Sequence, residues 1–191
     1  MAQQTCPTLE NYLAGDECLE NLAGLGEVAY IGLRSDLDAP LVAADDVYTF
    51  DAATALKSGK HLIKVDLKAE SQKIAGESQG KRKGFNIVGT MVIDAVNAKA
   101  SKLARALNNN DIFIVFPEAE GDAQILYDAN KKVRIESGGL TTDTGAAASD
   151  DRITTANFTL GPVKFPNLYV TFVPDSAEGG AKSWDDLCDL S

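Results

Sequence analysis

The sequence predicts a mainly β protein with one packed helix, built as a β-sandwich or half-barrel of about seven or eight strands. Three observations predict this fold class. Apolar and polar residues alternate with a period of two in several segments, as they do in half-buried strands. Only one segment has apolar residues at helical spacing. The 191 residues, 45% of them hydrophobic, are enough for one ordinary core.

We expect three regions along the chain. They are a loop-rich, extended N-terminal arm with the first strands (1–56), a β-sandwich core with one helix (57–175) and a C-terminal tail (176–191). The first strands are predicted at 28–33 and 47–50, where short apolar runs are bounded by glycine or polar residues. In the tail, Ser183 and Asp186 have the spacing of a capping box, which predicts a short helical turn over 184–190.

A long antiparallel hairpin is the most regular feature of the sequence. Residues 61–75 alternate between apolar and mostly charged positions, which predicts one strand with a single apolar face. Its apolar positions are Ile63, Val65, Leu67 and Ala69. Residues 85–94 are β-branched and apolar and predict the second long strand. Residues 76–84 are polar and interrupted by glycines, so we expect a basic hairpin tip there.

One helix is predicted over residues 96–108. Asn97 is suited to cap its first turn, and a run of three asparagines ends it. Its apolar stripe comprises Val96, Ala100, Leu103, Ala104 and Leu107. Its opposite side carries Lys99, Lys102 and Arg105. A single apolar stripe indicates that the helix covers one face of a sheet.

The rest of the core region is predicted to be β structure. The strands expected there are 112–116, 124–127, 133–136, 153–160 and 168–173. The turn-forming run from Asp128 to Lys132 predicts a hairpin between the second and third of them. Residues 138–151 are rich in Gly, Ala, Ser and Thr and are expected to form an exposed loop.

Charge is distributed unevenly along the chain. With 28 acidic and 18 basic residues, the formal net charge is −10. This acidic balance argues against nucleic-acid binding as the main activity, because such binding depends on cations that neutralise phosphates. Residues 57–83 are the exception, with eight basic and three acidic residues.

This basic segment has two interpretations. Its charges are either satisfied locally on a solvated face, or they form a docking surface for an acidic patch on the next copy of the same chain. The second interpretation suits head-to-tail assembly, in which two different surfaces of one subunit meet. The candidate assembly residues are Lys64, Lys68, Lys73, Lys81, Arg82 and Lys83. Nucleic-acid contact at the consecutive residues Lys81, Arg82 and Lys83 is disfavoured. Phe85 is the only aromatic residue close to them in the sequence that could stack on a base.

The three cysteines, Cys6, Cys18 and Cys188, lie near the two ends of the chain. An odd number of cysteines, and an N-terminus without basic and apolar signal regions, favour folding in a reducing compartment. A disulfide between Cys6 and Cys18 has no support in the pattern, and a zinc site is disfavoured because the chain has no CxxC motif and no pair of histidines. No apolar run is long enough to span a membrane, so no membrane partner is expected.

Catalytic chemistry has few candidate residues. The chain has a single histidine, His61, and none of the phosphate-loop, dinucleotide-binding or nucleophile-elbow motifs. Asp36 and Asp38 have the spacing that opens a calcium loop, but the glycine and glutamate that such a loop needs later are missing. A carboxylate pair for glycoside hydrolysis stays open, although the single Trp184 offers few aromatic platforms. We expect no enzyme activity, no cofactor and no metal.

The order of the predicted elements carries a family resemblance. Its stretches are HLIKVDLKAESQ, KGFNIVGTMVIDAV, AKASKLARAL, DIFIVFPEAEGDAQILYDANKKVRIESGG, DDRITTANFTLGP and NLYVTFV, within residues 60–173. The predicted elements follow one another in this order: a loop-rich arm, a long hairpin with a polar tip, one helix, a second hairpin and two closing strands. This order resembles the tail tube proteins, or major tail proteins, of tailed bacteriophages, and the related tube proteins of phage-like injection machines.

The resemblance implies a structural virion protein rather than an enzyme. Six copies would close a ring, and rings would stack head-to-tail into a tube that houses the tape-measure protein and later conducts DNA without sequence-specific binding. Its place would be the virion tail, assembled in the host cytoplasm, and an electronegative lumen would suit passing DNA. Two alternatives are the tube protein of a contractile injection or secretion system and a β-sandwich binding or decoration module of a virion.

Overall fold

The structure is a computed structural model, and it describes residues 25–44, 47–80, 84–118, 123–145 and 150–188. These residues form eleven strands and one α-helix, α1 (Ala98–Asn109). The strands are β1 (Val28–Leu33), β2 (Ala43–Ala44), β3 (Val47–Asp51), β4 (Ile63–Asp66), β5 (Lys73–Ser78), β6 (Phe85–Ile93), β7 (Ile112–Pro117), β8 (Ala123–Leu126), β9 (Arg134–Asp143), β10 (Ile153–Val163) and β11 (Tyr169–Val173). The expected arm over residues 1–24, with Cys6 and Cys18, lies outside the described residues.

The strands form two sheets around one core, which confirms the mainly β sandwich with one packed helix. The first sheet has seven strands in the order β2-β3-β11-β8-β7-β1-β4, and the second has four in the order β5-β6-β10-β9. All pairs are antiparallel except β3 with β11. Phe50, Phe113 and Phe116 of the first sheet are buried in the same cluster as Met91 and Phe158 of the second.

The long strand expected over residues 61–75 is wrong, because the chain changes sheets in the middle of it. β4 belongs to the first sheet and β5 to the second. The change falls between two neighbouring residues: the N–H of Leu67 donates to the carbonyl of Glu27 beside β1, and the N–H of Lys68 donates to the carbonyl of Val92 in β6, each at 2.8 Å. Glu70 then turns the chain with a φ of 56°. Alternation of apolar and polar residues indicates that a segment has one buried face. It does not distinguish a straight strand from a segment that bends and keeps the same alternation.

β5 and β6 form an antiparallel hairpin, as expected, although β5 extends through residues 76–78, which were expected in the tip. Lys73 lies opposite Thr90 and Ser78 opposite Phe85, and the N–H of Gln79 donates to the carbonyl of Gly84 at 2.7 Å. Residues 81–83 of its tip lie outside the described residues.

The second predicted hairpin is wrong, although its turn is present. The side chain of Asp128 accepts a hydrogen bond from the N–H of Asn130 at 2.8 Å, as in a tight turn. However, β8 pairs with β7 and β11 in the first sheet, whereas β9 pairs with β10 in the second. The turn therefore carries the chain between sheets, and a local turn signal cannot distinguish this from a hairpin.

The loop expected over residues 138–151 is wrong for its first part, because β9 runs to Asp143. Residues 136–139 form a bulge in this strand: Ile135 lies opposite Phe158, and Leu140 opposite Ala156. Gly138 has a φ of 74°, which a residue without a side chain adopts readily. Gly138 and Gly139, which favoured a loop in the sequence, instead lie in a β-bulge.

The helix is confirmed with its cap. The side chain of Asn97 accepts a hydrogen bond from the N–H of Ala100 at 2.9 Å. Ala100, Ala104 and Leu107 are buried, and the helix packs on β9 and β10 of the second sheet.

The tail returns across the first sheet after β11. The ring of Trp184 lies 5.9 Å from that of Tyr30, 4.9 Å from Phe50 and 4.8 Å from Phe172, measured between ring centroids. The carboxylate of Asp186 accepts hydrogen bonds from the N–H and the hydroxyl of Ser183, so the expected pairing of these two residues is present. The tail therefore belongs to the core, and its turn is a single 3₁₀ turn over Asp185–Leu187.

Candidate self-assembly surfaces

The margins of the two sheets are β2 and β4 in the first and β5 and β9 in the second. Within the described parts of the chain, no strand pairs with the outer side of any of these four strands. Just before β4, a single parallel bridge joins Leu62 to Cys188. An unpaired strand edge presents a row of backbone donors and acceptors that another chain can use. The second sheet is the better candidate for such pairing, since β5 and β9 have 6 and 10 residues.

The outer face of the second sheet is polar. Its side chains alternate with the buried ones along the four strands. They are Lys73, Ala75, Glu77, Asn86, Val88, Thr90, Val92, Arg134, Glu136, Thr141, Asp143, Ile153, Thr155, Asn157 and Thr159, of which Val92 is itself buried. The hydroxyl of Thr90 donates to the side-chain oxygen of Asn157 at 2.9 Å, and that of Thr159 donates to the carboxylate of Glu136 at 2.5 Å. Hydroxyl and amide groups are the largest class on this face, followed by charges of both signs and by a few apolar side chains.

Lys64, the first candidate assembly residue, is engaged within the subunit. Its ammonium lies 2.8 Å from the carboxylate of Asp185, and the hydroxyl of Tyr30 donates to that same carboxylate at 2.8 Å. We call these three residues the C-terminal latch. The hydrogen bond from Lys64, and then the one from Tyr30, lowers the pKa of Asp185. The hydrogen bond to Asp185 raises the pKa of Lys64.

Lys68 is engaged in the same way at another place. Its ammonium donates to the carboxylate of Asp151, and this bond raises the pKa of Lys68. The pair joins the connection between β4 and β5 to the connection between β9 and β10. Both lysines therefore fit the first interpretation of the basic segment, in which its charges are satisfied locally.

The remaining candidates lie elsewhere. Lys73 is exposed at the start of β5, on the outer face of the second sheet. Lys81, Arg82 and Lys83 lie outside the described residues, so their role stays a prediction. Of the three described candidates, Lys64 and Lys68 are thus paired with two different carboxylates, and Lys73 is exposed on β5.

Sequence reasoning missed a groove between the outer edge of β4 and α1. It has a volume of about 540 Å³. Its apolar lining comprises Ile63, Val65, Leu67, Ile93, Ala100 and Leu103. Ile63, expected on the apolar face of a strand, is 49% exposed beside it. No local signal could reveal the groove, because two elements far apart in the sequence form its walls.

The candidate chemical groups are not gathered into a site. His61 is exposed, and the ammonium of Lys60 lies 3.4 Å from the carboxylate of Asp36. Among the described residues, no group of three or more His, Cys, Asp and Glu side chains could hold a metal ion. Cys188 is a half-buried free thiol, and burial raises its pKa to about 11, so it stays protonated at neutral pH.

Comparisons with protein-family models, curated proteins and solved structures found no match. Among the described residues, no helix is long and apolar enough to cross a membrane.

Proposed function

We propose that this chain is a structural subunit of a phage tail tube, which self-assembles into rings that stack into a conduit for DNA. The observation that carries the proposal is the second sheet. It has four strands, two unpaired edges among the described residues and a polar outer face. The resemblance of the sequence to tail tube proteins adds support where the structure agrees with the predicted order, in the β5–β6 hairpin followed by α1.

The directions of the edge strands suit closure into a ring. β5 runs antiparallel to β6, β6 to β10 and β10 to β9, so β5 and β9 run in opposite directions. In a cyclic ring all copies point the same way along the axis. The β5 of one copy would then meet the β9 of the next as an antiparallel pair, like every other pair in this sheet. Closure of the ring would leave no free edge in the barrel.

The outer face of the second sheet would line the lumen. Its threonines and two asparagines offer hydrogen bonds without a positive field. Its charges are two cations, Lys73 and Arg134, and three carboxylates, Glu77, Glu136 and Asp143. Because phosphate binding depends on clustered cations, DNA would slide past such a surface without being held. The same lumen would hold the tape-measure protein, and the resemblance suggests six copies in each ring.

Cysteine cross-linking between copies tests the pairing of β5 with β9. Ala75→Cys would be combined in turn with Glu136→Cys, Thr141→Cys or Asp143→Cys, all on the same face. A disulfide needs Cβ atoms about 4 Å apart, so only the combination in the correct register should cross-link well. We expect a ladder of covalent oligomers that ends at the ring size on denaturing gels. Each single variant is the matched control, since one added cysteine cannot propagate a ladder.

Two results would contradict the proposal. One is a wild-type protein that stays monomeric in light scattering and shows no rings or tubes in negative-stain micrographs. The other is an assembly in which none of the three double variants cross-links beyond its single-cysteine controls.

A binding or decoration module is the second candidate function, and the groove between β4 and α1 favours it. A strand edge beside an apolar groove is a common receptor for an extended peptide. Such a module would remain a monomer or small closed oligomer, and its melting temperature would rise with ligand. The tube protein of an injection or secretion system would assemble as the phage protein does.

A further inference from the structure

The strands of the second sheet end at two opposite ends of the molecule. At one end Ser78 lies opposite Phe85, and Arg134 opposite Thr159. This end, which we call the basic end, also has the connections 127–133 and 164–168. At the other end Ile153 lies opposite Asp143. This end, which we call the acidic end, has the described connecting residues 67–72, 94–97, 144–145 and 150–152.

The basic end carries an excess of cations. Its described connections and the first residue of β9 contribute Lys131, Lys132, Arg134 and Lys164, with Asp128 as their only carboxylate. Three of these cations, Lys131, Lys132 and Arg134, line a recess of about 560 Å³. The rest of its described lining is Gln79, Asn86, Asn130, Thr159, Gly161 and Pro162, without a carboxylate.

The cations of this recess differ in how far they are already engaged. The ammonium of Lys132 lies 3.1 Å from the carboxylate of Asp111, and that of Lys131 donates to the carbonyl of Pro162. Arg134 is exposed, and its guanidinium has no hydrogen bond or ion pair with any residue in the described part of the chain. The recess therefore offers one uncommitted guanidinium beside two partly engaged ammonium groups.

The acidic end carries the opposite excess. Its carboxylates are Glu70, Asp94, Asp143, Asp150 and Asp151. Its cations are Lys68, Lys73 and Arg152, and Lys68 is bonded to Asp151. Asp94 is exposed, and so is Asp143, whose carboxylate accepts a hydrogen bond from the N–H of Gly145 at 2.9 Å. Asp94 after β6 and Asp143 at the end of β9 thus present exposed carboxylates at this end of the sheet.

We propose that the two ends are the complementary halves of one interface, in which the acidic end of one copy seats on the basic end of the next copy along the tube. This inference rests on the proposed function, because only a ring directs all basic ends to one side and all acidic ends to the other. Opposite charges would then meet in head-to-tail stacking, and like charges would meet in any other stacking. The charge of the ends would set the polarity of the tube.

A second copy suits the recess better than nucleic acid does. The chain as a whole has a net charge of −10, so a duplex approaching the recess is repelled by the rest of the molecule. The acidic end of another copy brings several carboxylates, and carboxylates match a guanidinium in geometry and charge.

Charge reversal at each end tests the inference. Lys131→Glu with Arg134→Glu makes both ends acidic, and Glu70→Lys with Asp94→Lys makes both ends basic. We expect each double variant to stop at single rings, with at least about a tenfold smaller sedimentable fraction than the wild type. Mixing the two double variants should restore stacking, because rings of the two kinds then alternate. Wild-type stacking should weaken between 0.1 M and 1 M salt, where the Debye length falls from about 10 Å to about 3 Å.

Lys102→Glu with Arg105→Glu is the matched control for Lys131→Glu with Arg134→Glu. It makes the same change in net charge, but on the exposed side of α1. It should stack as the wild type does. Thermal unfolding of each variant, and restoration of stacking in the mixture, would separate a lost interface from a lost fold.

Three outcomes would overturn the inference. In the first, the double variants form rings that stack as the wild type does, which leaves the proposed function intact. In the second, tubes stay intact but Lys131→Glu with Arg134→Glu loses binding to a 30-base-pair duplex at about 0.1 M salt, which assigns the recess to phosphates. In the third, the wild type forms no rings, and the proposed function fails with the inference.

Discussion

Replacing Tyr30 by Phe and Asp185 by Ala, singly and together, should show that one hydrogen bond fixes the tail on the first sheet. The hydroxyl of Tyr30 donates to the carboxylate of Asp185 at 2.8 Å, across 155 positions of the sequence. Tyr30 is 7% exposed, whereas the side chain of Asp185 is 48% exposed. The bond thus joins a buried donor to a half-solvated charge.

The expected magnitude follows from that exposure. A hydrogen bond to a charged group contributes about 1.5–3 kcal/mol, and solvent screening of a half-exposed carboxylate reduces this to about 1 kcal/mol. Tyr30→Phe should therefore lower the free energy of unfolding by about 1 kcal/mol. Asp185→Ala should cost about 1–3 kcal/mol, because it also leaves the buried hydroxyl of Tyr30 without its partner. In the double variant the bond is lost only once, so the coupling energy should be about 1 kcal/mol.

Urea unfolding followed by tryptophan emission measures this directly. Trp184 is the only tryptophan of the chain, and it stacks on Tyr30 one residue before Asp185. Two protein concentrations are needed, since assembly adds stability that depends on concentration. Additive single effects, with a coupling energy below about 0.3 kcal/mol, would refute the reasoning. The tail would then be held by aromatic packing, by the ion pair of Lys64 with Asp185 and by the backbone bridge of Leu62 with Cys188.

Three further changes have definite expected outcomes. Gly76→Val should destabilise the subunit by about 1–3 kcal/mol in urea unfolding, because a Cβ at Gly76 would lie 2.2 Å from the carbonyl oxygen of Pro166, whereas Ala75→Val on the open face should be near neutral. Asn97→Ala should cost about 1 kcal/mol in the same assay and Asn97→Asp much less, since aspartate keeps the cap; equal losses would contradict the capping role. The latch should be lost as pH falls through the lowered pKa of Asp185, below the ordinary value of 3.8, and as pH rises through the raised pKa of Lys64, above 10.5. Melting temperatures of wild type and Asp185→Ala between pH 2 and 7 should converge only at the acid end.

Local patterns in the sequence predict single strands and the helix well, but they do not predict how the strands are divided between the sheets. The stripe over residues 96–108 and the β5–β6 hairpin depend on neighbours within a few residues, and both are present. The parallel pair of β3 and β11 joins Val47 to Tyr169, and no local pattern records such a contact. The change of sheet at Leu67 and Lys68 keeps the alternation of the strand before it, so the same pattern fits a straight strand and a bent one.

The same limit applies to the candidate assembly residues. A high density of lysines indicates a basic surface, but the partners of Lys64 and Lys68 are Asp185 and Asp151, more than 80 positions away. Once these pairs form, the basic segment has less charge to offer a neighbouring copy than its composition indicates. The structure adds other candidate cations, such as Arg134 at the start of β9. The sequence around Arg134 has no excess of basic residues as large as that of residues 57–83.

The proposed assembly through the second sheet would therefore depend on backbone edges first and on charge second. The bulge over residues 136–139 interrupts the edge of β9, and natural proteins use bulges to discourage pairing at exposed edges. On the far side of the bulge, residues 140–143 run in regular register with β10, whereas only Arg134 and Ile135 do so on the near side. A neighbouring β5 would find its longest regular stretch at 140–143, so Thr141→Cys or Asp143→Cys should cross-link to Ala75→Cys better than Glu136→Cys. Cross-linking confined to Glu136→Cys would mean that the bulge itself forms the contact between copies.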